Sequence, residues 1–290
     1  DSTDDPCHGV QQLSFFNGFY DQHMYYPLLF FDGSTGELLS VRLRPGNAHG
    51  SYRMTVDLKR IVKELQRRLD TKQIIFCSDA AGAVPGVYLV AEDLGIDYLI
   101  GLPANSVLKR RVAWLVSRAR QRYKRMGKVV RYYTSFWYRA RSWYKRRRVL
   151  AKVEYNEKGL NLRFVVTSFS RGEAEGLFDL YEDRGESENW IKEFKNGLRA
   201  DRLSCHGYVA NAFRLLLHSL AYVLVSNFRA DMLKRTVLAS ATIETIRLKL
   251  IKVGALVKET VRRIWFCLAS GWPFRPIFIQ VCKNLCFNTS

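Results

Sequence analysis

The stretch YEDRGESENWIKEFKNGL, residues 181–198, contains the most specific pattern in this chain. Within it, Tyr181, Arg184, Glu188 and Lys195 lie at offsets of 0, 3, 7 and 14 residues. A regular α-helix turns by about 100° per residue, so it would bring all four onto one narrow face. The sequence therefore predicts a helical face that carries a phenol, a guanidinium, a carboxylate and an ammonium.

A simpler interpretation treats Arg184 and Glu188 as an ordinary i,i+4 pair on a solvated helix. Such a pair alone carries little information, whereas the full Tyr-x2-Arg-x3-Glu-x6-Lys spacing is more specific. The spacing resembles the Y-R-E-K signature of one subgroup of the DDE transposases of bacterial insertion sequences. In that subgroup the Glu is the third metal-binding carboxylate. The resemblance implies two more carboxylates upstream, each at the end of a strand.

The first hundred residues alternate between apolar runs and turn signals. The patterns predict a strand over residues 24–31, a Gly- and Ser-rich turn, a strand over 38–44, a helix whose apolar face runs from Met54 to Leu69, a strand over 73–77, a helix over 85–94 and a strand over 96–102. Asp79 then follows the end of a strand. In open α/β sheets, ligands bind at that edge because loops and helix ends converge there.

The resemblance to these transposases extends over most of the chain. It is carried by DSTDDP followed by HG, and by QLSFFNGFYDQHMY, RPGNAH, GIDYLIGL and FRLLLHSLAYVL. It implies a ribonuclease H-like α/β core in which Asp1, Asp79 and Glu188 are the catalytic metal ligands. Asp4 and Asp5 compete with Asp1 for the first role, because the strand that would precede Asp1 in this fold is not in the sequence.

The same resemblance implies DNA contacts for the other motif residues. Tyr181, Arg184 and Lys195 would contact phosphates near the scissile bond, and Lys192 lies in the same stretch. For Asp79 the alternative is a turn or helix N-cap residue. Asp79 is followed by Ala80-Ala81-Gly82, where relatives carry a Ser-Gly pair, so we expect an altered supporting turn.

Three carboxylates suit the chemistry of phosphoryl transfer. The attacked phosphodiester is an anion, and its charge must be neutralised on several oxygens at once. Carboxylates are the hard oxygen ligands that Mg²⁺ prefers, and Mn²⁺ would substitute for it. Mg²⁺ is therefore the expected cofactor.

The chain of 290 residues carries a formal net charge of +19, which favours a polyanionic partner such as double-stranded DNA. Anionic membrane surfaces also attract basic proteins. The longest strongly apolar stretch, residues 215–225, is about half of what a bilayer requires, so we expect no transmembrane segment.

A basic segment separates Asp79 from Glu188. Residues 98–153 contain no Asp or Glu, and the patterns predict a helix over 107–125 followed by strands near 128–139, 147–155 and 162–169. This looks like the β-rich insertion of the same transposase subgroup. Aromatic residues alternate with cations there, as in surfaces that track a nucleic-acid backbone; the DNA-binding candidates are Trp137, Trp143, Arg139, Arg141 and Arg146.

The two tryptophans allow two interpretations. In relatives that form hairpin DNA ends, an aromatic residue of the insertion receives a flipped base, a role that Trp137 or Trp143 would fill. Alternatively, both pack the insertion against the core.

After Lys195 the apolar spacing predicts helices from about residue 208, over 243–251 and over 257–268. The predicted organisation is therefore a ribonuclease H-like core over residues 1–104 and 170–204, a basic insertion over 105–169 and a helical C-terminal region over 205–290.

The expected function is cut-and-paste DNA transposition by metal-dependent strand cleavage and strand transfer, with a homodimer acting on element ends and target in the bacterial cytoplasm at the nucleoid. Two alternatives stay open: a catalytically impaired DNA-binding remnant, and a related metal-dependent nuclease.

Overall fold

Strands and helices alternate along the chain in a mixed α/β fold. The computed structural model describes residues 1–69 and 73–287. The chain divides into unit 1, which comprises Asp1–Ser2 and Asn47–Ser187, and unit 2, which comprises Thr3–Gly46 and Glu188–Ser290.

The described elements are as follows in chain order. The strands are β1 (Asp5–Pro6), β2 (Phe15–Asn17), β3 (Gln22–Tyr25), β4 (Leu28–Phe31), β5 (Leu38–Arg42), β6 (Ile75–Ser78), β7 (Asp97–Leu102), β8 (Val130–Tyr138), β9 (Arg147–Asn156), β10 (Gly159–Thr167), β11 (Ala255–Thr260) and β12 (Arg263–Leu268). The α-helices are α1 (Met54–Arg68), α2 (Pro85–Asp93), α3 (Ser106–Arg111), α4 (Ala113–Met126), α5 (Ala174–Glu182), α6 (Glu186–Lys192), α7 (Tyr208–Met232), α8 (Ile243–Ile246) and α9 (Arg275–Phe287). Short 3₁₀ turns occupy Ala80–Gly82 and Asp183–Gly185, and π-helical segments occupy Glu193–Gly197 and Arg247–Ile251.

Unit 1 is built on a five-stranded sheet of order β6-β7-β10-β9-β8. The β6–β7 pair is parallel and the remaining pairs are antiparallel. Helices cover both faces: Phe178 of α5 packs on Leu99 and Leu150, whereas Tyr88 of α2 stacks on Tyr98 from the opposite side. Because helices cover both faces of the sheet, β9 has buried residues at consecutive positions.

The predicted basic insertion does not form a separate sheet. Its three strands β8, β9 and β10 continue the sheet that β6 and β7 begin, through the antiparallel pairing of β10 with β7. The three predicted strands are confirmed, and the predicted helix over 107–125 is divided into α3 and α4 at Val112. That the segment is an insertion into a ribonuclease H-like core stays a prediction.

Unit 2 contains two small antiparallel sheets, β1-β3-β2 and β4-β5. The predicted hairpin is confirmed by the pairing of β4 with β5. The predicted strand over 24–31, however, is divided into β3 and β4 at Tyr26 and Pro27, because proline has no N–H with which to continue a strand ladder. A hydrophobic core that includes Tyr25, Phe194 and Tyr222 holds these strands against α7.

Helix α7 is longer than the apolar stretch from which it was predicted. It has 25 residues, and among the described residues it is the one helix whose length and composition would allow it to cross a membrane. Only 17% of its most apolar part is buried. One face nevertheless packs in the core of unit 2, where the Tyr222 hydroxyl donates to the Gly36 carbonyl at 3.1 Å.

The prediction of a wholly helical C-terminal region is wrong. Residues 257–268 form most of the antiparallel hairpin β11–β12, with Val257 opposite Phe266. The hairpin is rich in β-branched and aromatic residues such as Ile264 and Trp265, which favour extended backbone. Their spacing fits a helical period by coincidence, and the strand propensity prevails.

Glycine at position 46 is required by a close backbone approach. A Cβ atom there would lie 2.0 Å from the Met24 carbonyl oxygen and 2.5 Å from that of Phe15, and neither atom belongs to a flexible side chain. Gly46→Ala should therefore destabilise unit 2 by about 3 kcal/mol, measured by urea unfolding followed by circular dichroism. Gly33→Ala is the matched control, because a Cβ at Gly33 meets open space. Equal stability of the two variants would contradict this packing.

Candidate active site

Asp79 lies at the carboxyl end of the parallel pair β6–β7. It directly follows β6, and its Oδ1 accepts a hydrogen bond of 3.0 Å from the Ala81 amide. The carboxylate thus caps the 3₁₀ turn Ala80–Gly82, as the N-cap alternative predicted. Within the described residues Oδ2 accepts no hydrogen bond, so one carboxylate oxygen remains for another partner.

The altered turn after Asp79 is held closely to the sheet. Gly82 allows this, because a Cβ there would lie 2.6 Å from the Ser78 hydroxyl oxygen. The Ala80-Ala81-Gly82 sequence therefore still fixes the position of the Asp79 carboxylate.

Tyr181 contacts the same strand end from helix α5. A Cβ atom on Gly101 of β7 would lie 2.6 Å from the Tyr181 hydroxyl and 3.2 Å from the Ala80 amide nitrogen. The phenol thus occupies space that only glycine leaves open, beside the peptide that follows Asp79. Burial raises the pKa of Tyr181; nearby Arg184 opposes the shift, and the Asp79 carboxylate adds to it.

Arg184 joins Asp1 to this group. Its Nη1 donates to Asp1 Oδ2 at 2.7 Å, and the Ser187 hydroxyl donates to the same oxygen. Its guanidinium carbon lies 5.8 Å from the centre of the Tyr181 ring. Burial raises the pKa of Cys77 on β6 to about 11, and the charge of Arg184 partly offsets that shift. Unit 1 therefore brings Asp1, Asp79, Tyr181 and Arg184 into one neighbourhood.

The other motif residues belong to unit 2. Glu188 and Lys192 are exposed on α6, while the Trp190 ring packs against Phe31 at 5.5 Å. Lys195 Nζ donates to the Asp4 carboxylate at 2.8 Å and to the Asp4 carbonyl at 2.9 Å. The core of unit 2 thus orients α6, and Lys195 is held by the start of the chain.

The prediction that Tyr181, Arg184, Glu188 and Lys195 share one face of a regular α-helix is wrong. The stretch passes through α5, a 3₁₀ turn at Asp183–Gly185, α6 and a π-helical segment at Glu193–Gly197. A 3₁₀ turn advances by more than 100° per residue and a π-helix by less, so a uniform rotation fails at both ends. Tyr181 and Arg184 belong to unit 1, and Glu188 and Lys195 belong to unit 2.

Asp4 and Asp5, the alternatives to Asp1, lie in different surroundings. Burial alone would raise the pKa of Asp4, but the hydrogen bond and charge of Lys195 outweigh burial and lower it. Asp5 on β1 is only 1% exposed, and burial, reinforced by the charge of Asp201, raises its pKa to about 7. Both residues belong to unit 2, whereas Asp1 shares unit 1 with Asp79.

The donor chemistry around Asp79 suits a divalent cation. Asp1 and Asp79 supply the hard carboxylate oxygens that Mg²⁺ and Mn²⁺ prefer. Within residues 1–69 and 73–287, no group of three or more His, Cys, Asp and Glu residues is arranged to hold a metal ion. The carboxylate oxygens of Asp1 and Asp79 in unit 1 are thus the kind of ligand that a divalent cation prefers.

The aromatic DNA-binding candidates differ in exposure. Trp137 is 48% exposed, and the guanidinium carbon of Arg146 lies 5.6 Å from the centre of its ring. Trp143 is 3% exposed, between Tyr88 and Tyr138, so the structure favours the packing alternative for this residue. The flipped-base hypothesis is retained for Trp137 only.

The cationic candidates near these rings differ in their contacts. All three are exposed, and Arg139 also donates to the Trp143 carbonyl at 3.0 Å. Arg139 therefore supports the loop, and Arg141 and Arg146 present their charge at the surface.

Sequence reasoning missed Gly101 and Ser187. A glycine inside an otherwise apolar strand signals a close approach, which was a usable indication for Gly101. Nothing in the spacing singles out Ser187.

Comparison with known proteins assigns the family. The family model described as Transposase DDE domain group 1 matches residues 1–288. The chain belongs to this family. No match was found among curated proteins.

A structural comparison found a piggyBac transposase, solved by cryo-EM as a synaptic complex with hairpin DNA. Its sequence identity to this DDE-domain chain is 10% and the TM-score is 0.42. The match covers 87% of this chain and 54% of the other, so this chain spans about half the length of that transposase. This level of similarity does not establish a shared fold.

The contact between Gly101 and Tyr181 is testable by a double-mutant cycle. Gly101→Ala should destabilise unit 1, because its Cβ collides with the Tyr181 hydroxyl. Tyr181→Phe removes that oxygen and should relieve the collision, with a coupling free energy of about 1 kcal/mol between the two substitutions. Strictly additive unfolding free energies would contradict the contact.

The raised pKa of Asp5 predicts a pH dependence of stability. The unfolded chain releases this proton near pH 3.8 and the folded chain near pH 7. The folded state therefore binds more protons in that window, and its stability should fall as the pH rises, by on the order of 4 kcal/mol. Asp5→Asn should abolish that fall in denaturation curves between pH 4 and 7. A wild-type curve parallel to that of Asp5→Asn would contradict the assignment.

Proposed function

We propose that this chain is a DNA transposase that cleaves and joins strands at the ends of its insertion sequence with the help of divalent cations. The proposal rests on one observation above others: Arg184 and Tyr181, from the motif stretch, lie with Asp1 and Asp79 at the carboxyl end of β6. Membership in the DDE-domain family makes nucleic-acid cleavage the general expectation for such a group.

Asp1, Asp79 and Glu188 are the proposed metal ligands. A bound Mg²⁺ would supply Lewis-acid charge that stabilises the attacking and leaving oxygens of the phosphodiester. Asp79 offers the oxygen that its cap does not use, and Glu188 is exposed on α6. Asp1 is preferred over Asp4 and Asp5, since Lys195 holds Asp4 and burial raises the pKa of Asp5 to about 7.

The remaining motif residues would bind the substrate. Arg184 has five N–H donors in a planar fork, so it can hold two phosphate oxygens while it stays close to Asp1. Tyr181 would donate its phenolic proton to a phosphate oxygen, and burial raises the pKa of this hydroxyl. Lys192 and Lys195 would add positive charge beyond the scissile phosphate.

The basic part of unit 1 would extend the DNA contacts. We propose that Arg141, Arg146 and the partly exposed Trp137 hold the backbone and an unpaired base. Within this proposal the fold is ribonuclease H-like, the segment 105–169 is its insertion, and a homodimer carries two element ends in the bacterial cytoplasm.

The sequence alternatives remain distinguishable. A DNA-binding remnant would bind DNA without cleaving it, and a simple nuclease would cleave without joining a 3′-hydroxyl end to target DNA. The family membership favours the transposase.

The test uses the purified chain and a plasmid that carries the DNA flanking its own coding sequence. With Mg²⁺ or Mn²⁺ we expect strand cleavage and then joining of the released ends to a second plasmid. Glu188→Gln should lower cleavage by about 10²–10³-fold, because a carboxamide would hold the cation less tightly and less of the transition-state charge would be neutralised, while DNA affinity stays unchanged. Glu186→Gln is the matched control, since Glu186 is exposed two residues away. Full cleavage by Glu188→Gln would refute the assignment.

A further inference from the structure

Helix α4 presents a row of cations and one tryptophan on a single side. Trp114, Arg118, Arg122 and Arg125 are spaced by four, four and three residues, so they share one side of the helix. We call these four residues the α4 stripe. All four are exposed, and Trp114 is 60% exposed, although large aromatic side chains are normally placed to bury most of their surface.

The cations of α4 lack the counter-charges that other helices of this chain carry. In the part of the chain that the structure describes, Arg118, Arg122 and Arg125 form no ion pair with a carboxylate. On helix α1, by contrast, Arg67 pairs with Glu64 at 2.7 Å. Like charges one turn apart destabilise a helix, so the stripe weakens α4 unless an anion neutralises it.

The stripe is anchored to the free edge of the sheet. The guanidinium carbons of Arg118 and Arg122 lie 5.3 and 5.9 Å from the centre of the Tyr132 ring on β8. Arg122 also donates to the Tyr132 hydroxyl at 3.2 Å, and its hydrogen bond lowers the pKa of that phenol. Strand β8 is the outermost strand of its sheet, so the stripe lies where a long partner can approach.

The buried side of α4 is separate from the stripe. Leu115 and Ala119 are buried, and Tyr123 packs against Tyr155 of β9 at 5.2 Å. The stripe cations are thus not needed to attach the helix to the sheet, apart from the contacts to Tyr132.

We propose that the α4 stripe is a docking surface for the phosphate backbone of duplex DNA. The partner must be an extended polyanion, because the cations follow each other over about 10 Å of helix without a carboxylate between them. The Trp114 ring adds a flat apolar surface that would pack against sugars and base edges beside the phosphates. The inference rests on the proposed action on DNA, and it adds a contact surface outside the motif stretch.

The experiment measures the affinity of the full chain for a duplex without metal, over a series of salt concentrations. Arg118→Gln/Arg125→Gln removes two stripe cations and should reduce the slope of log affinity against log salt by about 1.8. Trp114→Ala should weaken binding several-fold at every salt concentration and leave the slope unchanged, because it removes no charge.

The matched control is Arg120→Gln/Lys124→Gln, which removes two cations from a different side of the same helix. Its slope of log affinity against log salt should differ from the wild-type slope by no more than about 0.3 for each charge removed. Circular dichroism confirms that all variants are folded. Equal slopes for the two double variants would overturn the stripe, as would an effect confined to single-stranded DNA.

The same measurements distinguish a failure of the α4 stripe from a failure of the proposed function. If the stripe variants bind like wild type while the wild-type chain binds DNA and cleaves it with Mg²⁺, only the stripe is refuted. If the wild-type chain binds no DNA, both the α4 stripe and the proposed function are refuted.

Discussion

The ion pair between Arg184 and Asp1 joins two residues that are 183 positions apart, and the candidate active site depends on it. Both side chains are largely buried, so loss of either partner would leave an uncompensated charge, at a typical cost of about 3–5 kcal/mol. The pair fixes the first residue beside the strand end that carries Asp79. It also explains why an arginine is needed at this spacing: the guanidinium has donors for Asp1 and for a phosphate together.

The positive charge of the chain is divided between two uses. Some cations form ion pairs within the fold: Arg147 is buried and pairs with Glu92 at 3.0 Å, and Lys152 pairs with Glu182 at 2.7 Å. Others, including those of the α4 stripe and the loop around Arg141, stay at the surface. Composition alone counts both groups equally, so the total of 46 Lys and Arg residues overstates the number of cations that are available to a partner.

The sequence predicted the elements around Asp79 well, because their signals are local. Strand β6, helix α2 and strand β7 appear within a few residues of their predicted bounds, and Asp79 follows a strand as expected. The prediction of a uniform motif helix failed, since no local signal marks a 3₁₀ turn at Asp183–Gly185 or a π-helical segment at Glu193–Gly197. For Trp143 the sequence left two interpretations open, because its burial depends on contacts with Tyr88, which lies 55 residues away in the chain.

The most direct test of the proposed metal-dependent chemistry is a Mn²⁺ soak of crystals of this chain, read as anomalous density. We predict density beside the carboxylates of Asp1 and Asp79, and its loss in crystals of the Asp79→Asn variant. Anomalous density that is absent from both carboxylates, in a chain that still binds DNA, would contradict the catalytic assignment and identify the chain as a DNA-binding remnant.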